Sequence, residues 1–429
     1  MNELFKKRID AYFGIDAEEY LNSLTKPCTQ GFFLNTRKGN REDILKMLDF
    51  AYEESPLTDA SFYHHEDNIG KTKAYELGLI YPQEINASLT TRYLEGKSFK
   101  LAVDMCAAPG GKSINVLNRA DIDCLVANDN SHSRALILSQ NLERLGLDNV
   151  IITNMETNEL SKRLEAAADL VMLDAPCSGE GMIRKYPEIL DEYSLNNINN
   201  LSLIQKDLLE DAYHMLKGKG ILIYSTCTYA FEEDEDQIED FLKRHKDMHL
   251  LPLEELGHSR LEGTIKLSPL ENGEGQFFAI MVKDDGSSKE PKYLKPIKEK
   301  MVDDFISENL TFKEYYLYRY NEHFYLSLHP LFDLKNKVLR YGIYLGDIVK
   351  KRFEPNHNLY RANSLRNHFR YVYDLNDEEY EKYISGNEIY INDIDHHYLL
   401  TYEGYALGYG KLVQKRLKNK YPKGLRRMI

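Results

Sequence analysis

FKLAVDMCAAPGGK, Phe99 to Lys112, is the stretch from which the fold is read. Its first half is a short apolar run that ends in an acid, Asp104. Its second half is a turn with two adjacent glycines, and a helix-compatible segment, Gly111 to Arg119, follows. Gly110 and Gly111 let the backbone approach a ligand closely, and the helix behind them offers free N–H groups. The G-x-x-x-x-G-K-[ST] spacing of a phosphate-binding P-loop is absent, so the turn is not one.

The same unit recurs downstream. Cys124 to Asp129 (CLVAND) is a second apolar run ending in an acid. Ser131 stands as an N-cap for a helix whose Leu136, Leu138, Leu142 and Leu145 are spaced for one face. Val150 to Thr153, Leu170 to Asp174 and Ile221 to Ser225 continue the series. Helical segments around Ile204 to Leu216 and Glu235 to Lys243 alternate with them, and Phe277 to Val282 closes it as a late strand. Strands spaced by helices imply parallel βαβ units, so the expected fold class is α/β with an open twisted sheet. Ligands of such sheets bind at the carboxyl edge of the strands. Asp104, Asp129, Asp174 and Cys227 are therefore expected around one crevice. A carboxylate at Asp129 can accept hydrogen bonds from both ribose hydroxyls of an adenosine ligand. It can equally cap the next helix, and the residue alone leaves both readings open.

The chain has 429 residues; at roughly 150 residues per domain this is about three domains. Apolar residues make up 42% and charged residues 29%, an ordinary globular composition that excludes a collagen or a long disordered polymer. Five cysteines without a CxxC pair argue against a disulfide framework and a zinc ribbon, and no metal is expected. The longest apolar runs fall far short of the roughly 18 residues a bilayer requires. The N-terminal MNELFKKRIDAYFG lacks the apolar core of a signal peptide. These features lead us to expect a soluble cytoplasmic protein with no membrane partner, and a monomer by default. DDGSSKEPKYLKPIKEK, residues 284–300, reads as a linker.

The balance of 55 Lys+Arg against 68 Asp+Glu argues by itself against a nucleic-acid partner, whose phosphates need cations. The total hides a patch. KLVQKRLKNKYPKGLRRMI, Lys411 to Ile429, holds many Lys and Arg and no acid, whereas Glu232 to Asp240 is almost wholly acidic. A solvated terminus is the plain alternative for that basic tail.

Two further segments carry cysteines on strand-end turns: Asp174-Ala-Pro-Cys-Ser-Gly-Glu-Gly181 and Tyr224-Ser-Thr-Cys-Thr228. A cysteine is usually a small buried apolar side chain, and Cys28 and Cys124 are read that way. Two of them on neighbouring strand ends in a ligand crevice point instead to thiol chemistry.

Taken in order, AAPGGK (Ala107 to Lys112), Asn128 to Arg134, DAPCSGEG (Asp174 to Gly181), YSTCT (Tyr224 to Thr228) and Gly273 to Ala279 resemble the NOL1/NOP2/Sun family of RNA 5-methylcytidine methyltransferases. Beyond the linker, Arg340 to Gly346, Arg352 to Pro355, Gly404 to Lys411 and Lys418 to Arg426 resemble its bacterial RsmF-type subfamily. The resemblance implies a Rossmann-like sheet dependent on S-adenosylmethionine (AdoMet), with an N-terminal helper region and a C-terminal PUA-like RNA-binding domain. The expected division is 1–97 (helper), 98–283 (methyltransferase), 284–300 (linker), 301–385 (connecting subdomain) and 386–429 (PUA-like). It implies 5-methylcytidine formation in small-subunit ribosomal RNA, on free RNA or on the small ribosomal subunit.

Carbon 5 of cytosine is too weak a nucleophile to attack a sulfonium methyl unaided. A thiolate that adds at carbon 6 pushes electron density onto carbon 5, and a base later removes the carbon 5 proton so that the enzyme can leave. By resemblance, Cys227 is the nucleophile and Cys177 assists release, as or through a general base. Asp174 binds the polar edge of the base, and Lys112 supports it. Cys106, Ala107, Ala108, Pro109, Gly110, Gly111 and Lys112 would wrap the cofactor. Asp129 would take its ribose, Glu156 its adenine amino group, and Asp174 would also line its methionine end. The basic tail, with Arg184 and Lys185 nearer the site, would track RNA. Tyr402, Tyr405 and Tyr409 are stacking candidates, with half-buried strand tyrosines as the alternative. The chain departs from the family pattern at Glu233-Asp234-Glu235, at Lys266 and Leu270, at Lys185-Tyr186-Pro187, and at Tyr409, where a tryptophan is usual. Two other readings stand beside this one: a transfer-RNA methyltransferase of the same family, and a ribosome-assembly factor that binds RNA without turnover.

Overall fold

A computed structural model describes residues 2–254, 256–312 and 314–427. The alternating apolar runs form the strands of one sheet. In chain order they are β1 (Ser98–Asp104), β2 (Asp121–Asn128), β3 (Val150–Thr153), β4 (Ala168–Asp174), β5 (Leu216–Thr226), β6 (Met248–Leu250), β7 (Thr264–Leu267), β8 (Gln276–Lys283) and β9 (Val338–Tyr341). The sheet order is β6-β8-β5-β4-β1-β2-β3-β9, and β7 pairs with β8. The five central strands, β5-β4-β1-β2-β3, are parallel, whereas β8 and β9 join the two ends antiparallel. Chain order turns at β1, with β2 to one side and β4 to the other, so a crevice opens at their carboxyl ends.

The connections are helices because parallel neighbours require crossovers. They are α1 (Gly111–Arg119), α2 (His132–Arg144), α3 (Thr157–Arg163), α4 (Leu195–Met215) and α5 (Glu235–Arg244). Successive strand residues point to opposite faces. Leu101 and Val103 pack with Leu209, Ala212 and Met215 of α4, whereas Ala102, Leu125 and Ala127 pack with Ile114 of α1 and Leu138 of α2. With both faces covered, these strands are continuously apolar.

Two local expectations are corrected. Leu136 is 45% exposed, and α2 buries Ala135, Leu138 and Leu142; the buried stripe is narrower than the leucine spacing indicates. Ser131 occupies the N-cap position, but its side chain makes no capping bond. Its backbone N–H is held instead by Asp129 Oδ1 at 2.9 Å.

The flanking regions close around this sheet. Helices Glu3–Phe13 and Ala17–Ser23 pack through Phe5, Phe13 and Tyr20 onto Ile183, Tyr193 and Tyr229, over the loops that leave β4 and β5. An antiparallel sheet (Tyr52–Glu54, Ser61–His64, Gly31–Leu34 and Ile80–Pro82, in that order) follows. Its Phe32 and Phe62, with the adjoining Leu79, share a core with Tyr380 and Tyr383 of the helix Asp377–Ile384 and with Leu407 of the C-terminal five-stranded sheet, which begins at Val372–Leu375. The two ends of the chain thus pack against each other. Residues 284–300 run along the central domain, held by Gly218 N–H to Ser287 O at 3.0 Å and Lys289 N–H to Ala166 O at 2.8 Å. Among the described residues, no helix is long and apolar enough to cross a membrane.

Candidate active site

Two cavities meet at the carboxyl edge of β1, β4 and β5. The larger, about 860 Å³, is lined by Cys106, Asp129, Glu156, Asp174, Cys177 and Cys227 among others. That volume lies in the roughly 300–1,000 Å³ range of small-ligand sites. The smaller, about 260 Å³, is walled by Ala107, Pro109, Gly111 and Lys112 from the glycine turn and by Gln83 and Gly275 from outside it. Cys106, Ala108, Asp174 and Cys227 border both. Gly110 lines neither. Its φ is +118°, and a Cβ there would meet Leu138 Cδ1 at 3.1 Å, so it shapes the turn from beneath.

The paired thiols come from loops leaving adjacent parallel strands. Cys177 follows β4 and Cys227 follows β5, and their sulfurs lie 3.3 Å apart. The Cys227 N–H also points at Cys177 Sγ, at 3.3 Å. The Cys227 sulfur beside it, followed by burial and then the charge of Glu233, pushes the Cys177 thiol well above its usual range. Burial pushes Cys106 up to about 12, which keeps it a neutral thiol at physiological pH.

Lys112 reaches from the first turn of α1 to Asp174 Oδ1 at 2.8 Å. Ser225 Oγ donates to the same oxygen at 2.9 Å. Burial disfavours the Lys112 charge, but Asp174, Cys227 and Asp104 outweigh it and hold the ammonium above its ordinary range. Asp104 is 1% exposed, takes Ser113 Oγ at 2.6 Å, and is pushed by burial to about 7. The Asp104 Oδ1 and Asp129 Oδ2 atoms are buried without a hydrogen-bond partner, and the Arg134 guanidinium faces Asp129 Oδ2 as an ion pair at 3.5 Å. A buried acceptor without a donor is costly, so Asp129 at the cleft wall suits a ligand that brings hydroxyl donors. Glu156 is exposed at the start of α3, on the same cleft wall.

Around the thiols lies a polar shell to which motif reading gave no role. Gln205 of α4 and Glu233 hold the Cys177 loop. Glu180, fully buried, takes Tyr193 OH at 2.5 Å, Thr228 Oγ1 at 3.1 Å and the Tyr229 N–H at 3.0 Å. Gln205 carries no local signal, since it is one polar residue on an otherwise amphipathic helix. At the positions that depart from the family pattern, Lys266 is buried and donates to Asp234 at 3.0 Å, Glu235 at 2.7 Å and Tyr229 O at 2.9 Å.

Arg184 is withdrawn from the expected RNA track, and two of the three stacking candidates, Tyr402 and Tyr409, follow the strand-tyrosine alternative. The Arg184 guanidinium is buried against Glu274 at 2.6 Å and also donates to Gly273 O, Pro27 O and Thr29 Oγ1, so it staples the N-terminal region to the site. Tyr409 is 6% exposed, stacks on Tyr360 at 4.3 Å and donates to Pro355 O. Tyr402 is buried and donates to Asp377 at 2.6 Å. Packing has used all three, whereas Tyr405 is half-buried and Lys185 exposed. In the basic tail, Lys411, Lys415, Arg416, Lys418, Lys420 and Lys423 are exposed, and Arg427 pairs with Glu76 at 3.3 Å. Met428 and Ile429 lie outside the described residues.

The family model "16S rRNA methyltransferase RsmB/F" matches residues 92–283. Models for the N-terminal domain, the first C-terminal domain and the PUA domain of RsmF match 1–85, 304–362 and 370–427. A Shewanella loihica protein named ribosomal RNA small subunit methyltransferase F is 29% identical over 96% of this chain and 92% of its own length. A Pyrococcus abyssi tRNA (cytosine(49)-C(5))-methyltransferase is 33% identical over 65% of this chain and 96% of its own. The crystal structure of a methyltransferase homologue from Pyrococcus horikoshii, 30% identical, superposes with a TM-score of 0.58 over 66% of this chain and 95% of that one.

The sheet order, the cleft at its turning point and the matching structure define a methyltransferase with a Rossmann-like core, an N-terminal domain and a C-terminal PUA domain. The chain belongs to the RsmB/F family of 16S rRNA methyltransferases.

Proposed function

We propose that this protein forms 5-methylcytidine in small-subunit ribosomal RNA in the cytoplasm, through a covalent adduct between Cys227 and carbon 6 of the target cytosine. The observation that carries this reading is the pair of thiols 3.3 Å apart where a cofactor-sized cleft meets a smaller pocket. Bound AdoMet supplies an electrophilic methyl on its sulfonium. Asp129 would take the cofactor ribose, the 106–112 turn would hold the methionine end, and Glu156 would take the adenine amino group.

The target base leaves its stack to enter the smaller pocket. Asp174, held by Lys112 and Ser225, hydrogen-bonds the polar edge of the ring and stabilises the adduct. The Cys227 thiolate forms the bond to carbon 6, and the displaced carbon 5–carbon 6 pair would take the methyl while the S–CH3 bond pair stays on the donor sulfur as a neutral thioether. For release, a base removes the carbon 5 proton. The C–H pair re-forms the double bond and returns the C6–S pair to Cys227. Cys177, in contact with the nucleophile, is placed to serve this second half, as or through that base.

Ribosomal RNA is favoured over transfer RNA because relatives named for the small subunit align across the whole chain, C-terminal domains included. The tRNA-named relative aligns over 65% of it. The exposed lysines of the basic tail then serve as the phosphate track that the acidic average conceals.

Labelled AdoMet and small-subunit RNA, with wild type, Cys227→Ala and Cys177→Ala, test the reading. Wild type methylates and Cys227→Ala does not. Cys177→Ala holds RNA in a denaturant-stable adduct that Cys227→Ala cannot form. Methylation by Cys227→Ala overturns the proposal. Transfer-RNA methylation in place of ribosomal redirects the substrate.

A further inference from the structure

The loop that carries Cys177 is gripped from both sides by two buried side chains that touch neither cavity. Gln205 Nε2 donates to Pro176 O, just before the cysteine, at 2.9 Å. Glu233 Oε2 accepts the Ser178 N–H, just after it, at 3.0 Å. The two grips are joined, because Gln205 Nε2 also donates to Glu233 Oε2 at 2.8 Å. Gln205 and Glu233 are both 0% exposed. Glu233 is tied in turn to the β5 side, where Tyr224 OH donates to Glu233 O at 2.6 Å. Two separate pieces of chain, α4 and the turn after Cys227, thus converge on the loop after β4, one on each side of Cys177.

Resting on the assignment of Cys177 to product release, we propose that Gln205 and Glu233 are positioning residues for the release step. They form a clamp that sets the Cys177 thiol against the adducted base without touching substrate. Cys227 does not depend on this clamp in the same way. It directly follows the end of β5, where Thr226 Oγ1 donates to Asp234 at 2.6 Å and Thr226 O accepts from Gln276 Nε2 at 2.7 Å. Loosening the clamp therefore frees Cys177 while the nucleophile stays in place. Glu233→Met removes the oxygen that accepts both the Ser178 N–H and Gln205 Nε2. Gln205→Met removes both donated bonds at similar volume.

The test uses the full chain with labelled AdoMet and small-subunit RNA, and reads two quantities separately. One is the single-turnover rate of methyl transfer; the other is the fraction of protein held in a denaturant-stable RNA adduct. Gln205→Met and Glu233→Met are expected to slow release about five- to tenfold, the scale of one or two lost buried hydrogen bonds. The methylated adduct accumulates, and methyl transfer stays within about twofold of wild type. Thermal melting confirms which variants are folded, and either one suffices. Equal slowing of transfer and release means a merely structural role and overturns the clamp, as does wild-type turnover in both variants. A Cys177→Ala protein that traps no adduct overturns the Cys177 assignment itself, and this inference with it. Trapping by Cys177→Ala but by neither clamp variant overturns the clamp alone.

Discussion

The Cys177 and Cys227 sulfurs lie 3.3 Å apart although 50 positions separate them in the chain. Parallel pairing of β4 with β5 sets Asp174 opposite Ser225, and each thiol sits a few residues past that pair. Neighbouring strands lie roughly 4.7–4.9 Å apart, so two side chains turned toward each other from adjacent strand ends come into contact. A nucleophile and its release partner need that proximity to act on one ring.

Lys112 is the cation that holds Asp174 in place, at 2.8 Å. Lys112→Met removes a charge-assisted hydrogen bond worth roughly 1.5–3 kcal/mol. We expect kcat to fall about 10- to 100-fold. The Asp174 side chain is 37% exposed, so water re-solvates it and the melting temperature changes little. Methyl incorporation at saturating RNA measures this, and unchanged kcat removes Lys112 from the mechanism.

Burial raises Asp104 to about 7, well above its unfolded range near 3.9. Between those values the folded state binds a proton that the unfolded chain releases, so this group's contribution to stability is present below pH 4 and lost as pH rises to 7. Asp104→Asn, which stays neutral, is expected to gain about 2–3 kcal/mol relative to wild type between pH 5 and pH 8. Urea unfolding at both pH values checks it. A constant difference between the two proteins contradicts the burial argument.

Lys266 is the cation set between two buried acids, Asp234 and Glu235. Lys266→Met leaves both without their cation and is expected to cost roughly 3–5 kcal/mol. Asp234→Asn added to that variant recovers part of the loss. Chemical denaturation of the single and double variants reads both effects.

The exposed cations of the C-terminal segment carry the phosphate reading. Alanine at Lys411, Lys415, Lys418 and Lys420 is expected to raise KM for RNA with little change in kcat. The slope of log K against log salt becomes shallower by about 0.7–0.9 per lost contact. Binding titrations at several salt concentrations decide it, and an unchanged slope returns the segment to a solvated terminus.

What the chain announces locally, its residues alone determined. Alternating apolar runs and helical segments specified the α/β sheet, because strand and helix periods are properties of neighbouring residues. Strand-end acids, the Gly110-Gly111 turn and the two Cys segments marked the crevice, because ligands of such sheets gather at that edge. Tertiary packing decided the rest. Arg184, Tyr402 and Tyr409 are polar or aromatic and looked available, yet distant partners (Glu274, Asp377, Tyr360) bury them. The grip of Gln205 and Glu233 on Cys177 and the shared core of the two chain ends are also invisible along the sequence. Each joins residues far apart in the chain, and hydrogen bonding and close packing depend on distance in space, which local periodicity does not encode.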